Sequence, residues 1–214
     1  MDNIDNIATK TSRYKYVSFD IFDTLIFRKL YRASDLFFYM EMEMEKMGFP
    51  YLNFHDVRIK AEKEAIRKNH IADEITIDSI YNCIYFDSEE RRQFAKDLEL
   101  KTELMFCVPN IEMVHLLNEC KKNGKKVVLI SDMYLSSSNI SEILKHCGIL
   151  FDNLYVSSNY GIRKSSGKLF RKVLTELEIN RKDIIHIGDN KMSDYYIPKL
   201  CCVLILVDSF VCYT

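Results

Sequence analysis

The chain has 214 residues, enough for one large domain or two small ones. Hydrophobic residues make up 48% and charged residues 29%, which excludes a disordered chain. Thirty basic residues against 31 acidic ones leave a net charge of -1, which argues against general affinity for nucleic acid or an anionic membrane.

Residues 1–13 are polar and of mixed charge, with no apolar core of an export signal, and read as a flexible N-terminal arm. Residues 14–19 read as a buried strand ending at Asp20. Four helices are then predicted with short connectors: 34–47 after Ser34, 53–69 after Asn53, 76–85 after Thr76 or Asp78, and 88–106 after Ser88. The alternating Glu and Met residues at 41–45 make no clean face and read as a partly solvated helix, not a metal site.

Beyond this block the pattern alternates. Asn110 caps a helix to Lys122, with Gly124 where a helix closes. Strands at 126–130, 154–156, 184–187 and 201–207 alternate with helices at 138–147 and 168–177. Such alternation predicts a parallel sheet covered on both faces. The longest apolar run, 201–207, is strand-sized, so no membrane span is expected. Seven cysteines without a C-x-x-C pair or an export signal read as reduced, buried thiols in a cytoplasmic protein. The histidines lack metal-ligand spacing, and His186 reads as a sheet residue.

Polar residues follow three of the strands: Asp20, then Ser131-Asp132, then Gly188-Asp189. In a parallel α/β sheet the ligand crevice lies at the carboxyl ends of strands, so these side chains converge there. Any one of them alone reads as a helix cap; together they suggest a site. Two carboxylates at one edge repel unless a cation joins them, and hard oxygen ligands favour Mg²⁺. Lys164, on the loop before the 168–177 helix, could meet a phosphate there, although a solvated lysine is the plainer reading.

These residues resemble a known family. Phe19-Asp20-Ile21-Phe22-Asp23-Thr24-Leu25 resembles motif I of the haloacid dehalogenase superfamily. Val128-Leu129-Ile130-Ser131-Asp132 resembles motif II, Lys164 with Phe170 motif III, and Gly188-Asp189 with Asp194 motif IV. The resemblance implies a doubly wound, Rossmann-like parallel sheet (14–30 and 107–214) with an inserted helical cap of the C1 type (31–106). It implies Asp20 as the nucleophile that forms an aspartyl-phosphate, Ser131 and Lys164 as catalytic phosphate-binding groups, and Asp20, Asp189 and the Phe22 backbone carbonyl as Mg²⁺ ligands. Asp194 would sit behind them, orienting a metal water or Lys164. Thr24 would support the turn after the nucleophile. Asp23, Thr24, Arg28, Asp132 and Asn190 complete the expected phosphate or substrate contacts, Arg28 by reaching the site mouth to bind a substrate anion.

One position departs from the pattern. Phosphatases of the superfamily carry a second Asp two residues after the nucleophile, where this chain has Phe22. Such a general acid/base is worth about 10²–10⁴ in rate. A Mg²⁺-dependent phosphatase acting on a small phosphorylated metabolite is the first expectation, with Asp23, through a water or a bent backbone, as a candidate substitute acid. A degenerate ligand-binding module, and phosphonatase- or dehalogenase-like cleavage, in which the leaving group needs no proton, are the alternatives. The Phe-Asp-Ile-Phe-Asp-Thr-Leu string with Ile130-Ser131-Asp132-Met133-Tyr134 is similar to a bacterial subgroup found with glycosyltransferases in surface-polysaccharide proteins. That similarity implies a sugar phosphate substrate and a glycosyltransferase domain or partner.

Overall fold

The structure is a computed structural model that describes residues 4–70, 72–196 and 203–206, with side chains over 7–70 and 72–196. Its centre is a parallel sheet of β1 (Tyr16–Phe19), β4 (Lys126–Ser131), β5 (Asn153–Val156), β6 (Ile184–Gly188) and β7 (Val203–Leu206), in the order β5-β4-β1-β6-β7. Strand β1 is central because its residues can be buried on both faces: Val17, Ser18 and Phe19 have no exposed surface. The sheet faces are sorted by the two-residue period. On β4, Val127 and Leu129 join the larger apolar cluster, while Val128 and Ile130 pack with Leu169, Phe170 and Val173 of α8 (Lys168–Glu176). Helices α6 (Ile111–Lys122) and α7 (Ser137–His146) contribute to the larger cluster. The α/β class and the parallel sheet expected from the sequence are both present.

Register brings the carboxyl ends together. Phe19 pairs with Leu129 on one side and Ile187 on the other, so Asp20, Ser131 and Gly188 lie within two residues of one line across the sheet. The chain leaves β1 toward β4 and returns to β6 on the other side, which places Asp20 at the topological switch point.

The insertion after β1 is helical: α2 (Leu36–Lys46), α3 (Phe54–Lys68), α4 (Ile77–Tyr81) and α5 (Glu89–Phe106). A short antiparallel ribbon, β2 (Ile26–Arg28) against β3 (Cys107–Pro109), closes its two ends and lacks any clear period in the sequence. Thr76 and Ser88 cap α4 and α5 through their side-chain oxygens. Helix α4 ends at Tyr81 and not at residue 85, and α7 is capped by Ser136. In α2, Met40 and Met44 are buried one turn apart, whereas Phe38 and Met42 face outward.

The supposed N-terminal arm is corrected: it carries helix α1 (Ile4–Thr11). Ile7 is buried in the larger cluster and Thr11 meets Cys120 of α6, so an apolar stripe, not the average polarity, governs this segment. Strand β7 matches the inner part of the predicted 201–207 strand; its flanks lie outside the described residues. Among the described residues no helix is long and apolar enough to cross a membrane.

Candidate active site

The turn after β1 is tightly wound. The Ile21 carbonyl accepts hydrogen bonds from the Leu25 and Ile26 amides at 2.8 and 3.0 Å, and the Asp23 amide donates to the Ile26 carbonyl at 2.9 Å. Asp23 therefore sits at φ 59°, a left-handed backbone that Asp tolerates better than most residues. The turn presents Asp20, Phe22 and Asp23 to a cavity of about 330 Å³, whose other walls include Ser131, Asp132, Lys164, Ser165, Asp189, Asn190, Met192 and Ser193. Thr24 lies beneath it, buried, with its hydroxyl donating to Asp189 Oδ1 at 3.0 Å.

Lys164 is the pivot. Its ammonium lies 2.7 Å from Asp20 Oδ1 and 2.6 Å from Asp194 Oδ1, and the side chain is 2% exposed. The loop that carries it is held by Asp132, whose two oxygens accept the Lys164 and Ser165 amides at 2.6 and 3.3 Å. Asp132 lines the cavity, but its carboxylate is committed to that backbone. Asn190 is committed likewise: its side-chain oxygen accepts the Met192 and Ser193 amides and opens the π-helical stretch Lys191–Tyr196. Asp194, on that stretch, also accepts the Asn190 amide at 3.1 Å and faces His186 Nε2 at 3.3 Å.

One ammonium thus serves two carboxyls. Burial raises the Asp20 carboxyl above its ordinary range, against the pull of Lys164. Asp194 is also desolvated, but Lys164 and His186 outweigh this and hold it below the usual carboxylate range. Burial alone would lower Lys164, but the adjacent Asp20 and Asp194 charges raise it, so it stays an ammonium. Asp189 is raised by burial despite the Thr24 hydrogen bond.

Carboxylate oxygens of Asp20, Asp189 and Asp194 all lie within 4.8 Å of one another. They are hard donors of the kind that Mg²⁺ prefers. Both Asp194 oxygens are already bonded, so Asp20 and Asp189 are the carboxylates with room for a cation. The cavity lining carries four carboxyls (Asp20, Asp23, Asp132, Asp189) and one ammonium, a charge balance that suits a divalent cation before any anion.

Arg28 is placed differently from expectation. Its guanidinium makes a bidentate pair with Glu103 at 2.8 and 3.0 Å and lies 4.2 Å from the Phe22 ring centroid, behind the cavity wall. The Glu103 carboxylate on α5 outcompetes a site-mouth position because the pair is almost fully buried. Ser18 and His186 were not singled out as site residues. Their signal was a polar residue within each of two apolar strands, at positions that prove to be register partners. Ser165, on a loop, and Met192 and Ser193, on the π-helical stretch, carry no such signal.

The family model for haloacid dehalogenase-like hydrolases matches residues 14–195. No curated protein matches the sequence. Similar solved structures include the 2-haloacid dehalogenase from Pseudomonas syringae pv. Tomato DC3000, with TM-score 0.66, 15% identity and coverage of 90% of this chain and 86% of that one. The HAD-hydrolase YfnB from Bacillus subtilis, bound to magnesium, matches with TM-score 0.62, 16% identity and coverage of 91% and 89%. A predicted phosphoglycolate phosphatase from Haemophilus somnus 129PT matches with TM-score 0.58, 14% identity and coverage of 91% and 85%. At these identities the structures speak for the fold alone. The family's sequence pattern spans the chain from the strand before Asp20 to the residue after Asp194, and its fold is built around them: the protein belongs to the haloacid dehalogenase-like hydrolases.

Proposed function

We propose that the chain is a Mg²⁺-dependent phosphatase acting on a small phosphorylated metabolite through Asp20. The observation that carries this reading is Asp20 at the end of the central strand, in contact with Lys164, in a cavity rich in oxygen donors. Asp20 and Asp189 would hold the cation with the Phe22 carbonyl; when bound it would neutralise the carboxylates and the transferring phosphoryl group. Asp20 attacks phosphorus, and the bond to the leaving oxygen breaks. Lys164 and Ser131 hold the phosphoryl oxygens while charge moves onto the leaving group. Water then attacks the aspartyl-phosphate and restores Asp20. Phe22 carries no proton, but Asp23 is a cavity carboxylate without a side-chain partner among the described residues, and we assign proton transfer at the leaving group to it. A sugar phosphate as substrate, a cytoplasmic setting and a glycosyltransferase domain or partner belong to the same proposal. The sugar phosphate and the glycosyltransferase rest on the Phe-Asp-Ile-Phe-Asp-Thr-Leu resemblance and the cytoplasmic setting on the reading of the cysteines as reduced thiols, and no role for nucleic acid or membrane is proposed.

The second reading is carbon–halogen cleavage. An aromatic residue at position 22 favours it, since a halide leaves without a proton, and dehalogenases are among the similar folds. The charge of the cavity weighs against it: Lys164 already serves two carboxylates, and Arg28 is turned toward Glu103.

The test compares phosphate release from acetyl phosphate and from a hexose phosphate, with Mg²⁺ or with a chelator, and halide release from 2-chloropropionate. Asp20→Asn is the control. Mg²⁺-dependent phosphate release that Asp20→Asn lowers by at least about 10³, within the effect expected for loss of a covalent nucleophile, supports the proposal. Phosphate release surviving in Asp20→Asn would sink it; halide release alone would establish the second reading. Binding of phosphate with no turnover would mark a degenerate, ligand-binding site.

A further inference from the structure

Behind the cavity, five side chains form a ring that closes on the strand bearing the nucleophile. Asp20 meets Lys164, Lys164 meets Asp194, and Asp194 Oδ1 faces His186 Nε2 at 3.3 Å. His186 Nδ1 faces Ser18 Oγ at 2.9 Å, and Ser18, on β1, lies two residues before Asp20, which follows that strand. Ser18 and His186 are cross-strand register partners and neither has exposed surface. Phe170 meets the imidazole edge-to-face, with centroids 4.9 Å apart, and fixes its plane. Nothing in the phosphoryl-transfer steps uses this histidine.

The hydrogen-bond inventory selects one tautomer. The Ser18 hydroxyl has one proton and two acceptors in reach, His186 Nδ1 at 2.9 Å and the Ile185 carbonyl at 3.4 Å. Given to Ile185, that proton leaves Ser18 as an acceptor from Nδ1–H, and a lone pair on Nε2 then points at the Asp194 carboxylate. Given to Nδ1, it leaves Nε2–H to donate to Asp194, and every group is satisfied. The second arrangement also uses the shorter contact.

We propose that His186 is a positioning residue, donating from Nε2 to Asp194 and thereby setting where Lys164 meets Asp20, with Ser18 fixing the tautomer. Without that donor, Asp194 keeps Lys164 as its only side-chain partner among the described residues and draws the ammonium away from Asp20. Burial, the larger influence on the imidazole, keeps the ring uncharged, so it orients Asp194 without competing with Lys164 as a second cation. The effect on catalysis rests on the phosphatase reading; the tautomer does not.

Two measurements separate these parts. The first is the ¹⁵N spectrum of labelled imidazole in the metal-free protein. A protonated Nε2 and an unprotonated Nδ1 at His186, becoming a mixture in Ser18→Ala, are expected; a protonated Nδ1 in the wild type overturns the proposal whatever the activity. The second is steady-state phosphate release. His186→Leu should lower kcat about 10–100-fold, the loss usual for an outer partner of a site residue, with KM little changed. His186→Gln, which keeps an N–H donor near the Nε2 position, should recover most of that loss. An undiminished kcat in His186→Leu overturns the proposal, as does failure of His186→Gln to recover while its melting temperature matches the wild type. Absence of phosphate release by the wild type would defeat the phosphatase reading and the catalytic part with it, and leave the spectrum to decide the tautomer.

Discussion

Gly188 closes β6 at the point where Asp194 comes closest. A Cβ placed there would lie 2.6 Å from Asp194 Cγ, inside any allowed contact. The glycine is thus the condition for Asp194 to reach Lys164, and the Gly-Asp pair read from the sequence has two physical reasons. The Asp offers a carboxylate to the cavity, and the Gly leaves room for another carboxylate behind it. Gly188→Ala should push Asp194 off Lys164, with a stability loss of about 1–3 kcal/mol, the range for overpacking a filled site. Phosphate release should fall more than unfolding by urea would suggest. A variant with wild-type kcat would show that the Asp194 contact is dispensable. Asp20, Ser131 and Asp189 were legible because each ends or follows a strand in a recognisable string, whereas Lys164, on a loop, was legible only through the family resemblance. Ser18 and His186 were not, because a lone polar residue in a strand announces burial only once its cross-strand neighbour is known.

Among the elements, the cap helices were readable in number and place but less so in their starts, since Ser34 lies in a 3-10 turn before α2 and Asn53 makes no side-chain cap bond, and their chemistry was least readable of all. Thr76 and Ser88 are local signals, and the structure uses both as caps. The interior of the cap is different. Arg58, on α3, has no exposed side-chain surface; it pairs with Glu99 of α5 through two hydrogen bonds of 2.8 Å. Tyr81 donates to the same carboxylate at 2.7 Å, and Tyr134, from the loop after β4, at 2.9 Å. In a list of residues these four are unremarkable; only packing makes them one network. Two magnitudes can be set against each other here. Glu99→Leu leaves the buried Arg58 guanidinium with only the partly exposed Glu62, 3.0 Å away, as a charged partner among the described residues and should cost about 3–5 kcal/mol. Tyr134→Phe removes one hydrogen bond and should cost about 1 kcal/mol. Urea unfolding of both variants checks the ratio; equal losses would mean that the pair contributes no more than an ordinary hydrogen bond.

Across the whole molecule, the cap is docked on the core along one edge. Glu74, 6% exposed, accepts Arg163 at 2.6 Å on one oxygen and the Ser157 hydroxyl at 2.7 Å on the other. Asp73 meets Lys168 at 2.8 Å, and the Ile77 amide donates to the Tyr134 carbonyl at 3.0 Å. Both Asp132, which holds the Lys164 loop, and Tyr134, which enters the cap, lie on the same few residues after β4. Cap docking and the shape of the site are therefore mechanically joined. Glu74→Ala should speed amide exchange about tenfold at residues 72–77 and 157–163 and leave β1 and β4 unchanged, since only local opening is eased. Exchange that stays slow in the variant would place the docking elsewhere.

By itself the sequence determined the α/β class, the order of strands and helices, the place of the helical insertion and most of the residues at the carboxyl ends of β1, β4 and β6. It could do so because periodicity, caps and short motifs are local properties of a chain. The tertiary structure alone decided that residues 4–11 form a packed helix, that Arg28 turns to Glu103, that Asp132 and Asn190 hold backbone, and that Ser18 and His186 stand behind Asp194. Each of those outcomes is a competition for partners between residues far apart in sequence, and such a competition is settled only when the burial of both sides is known.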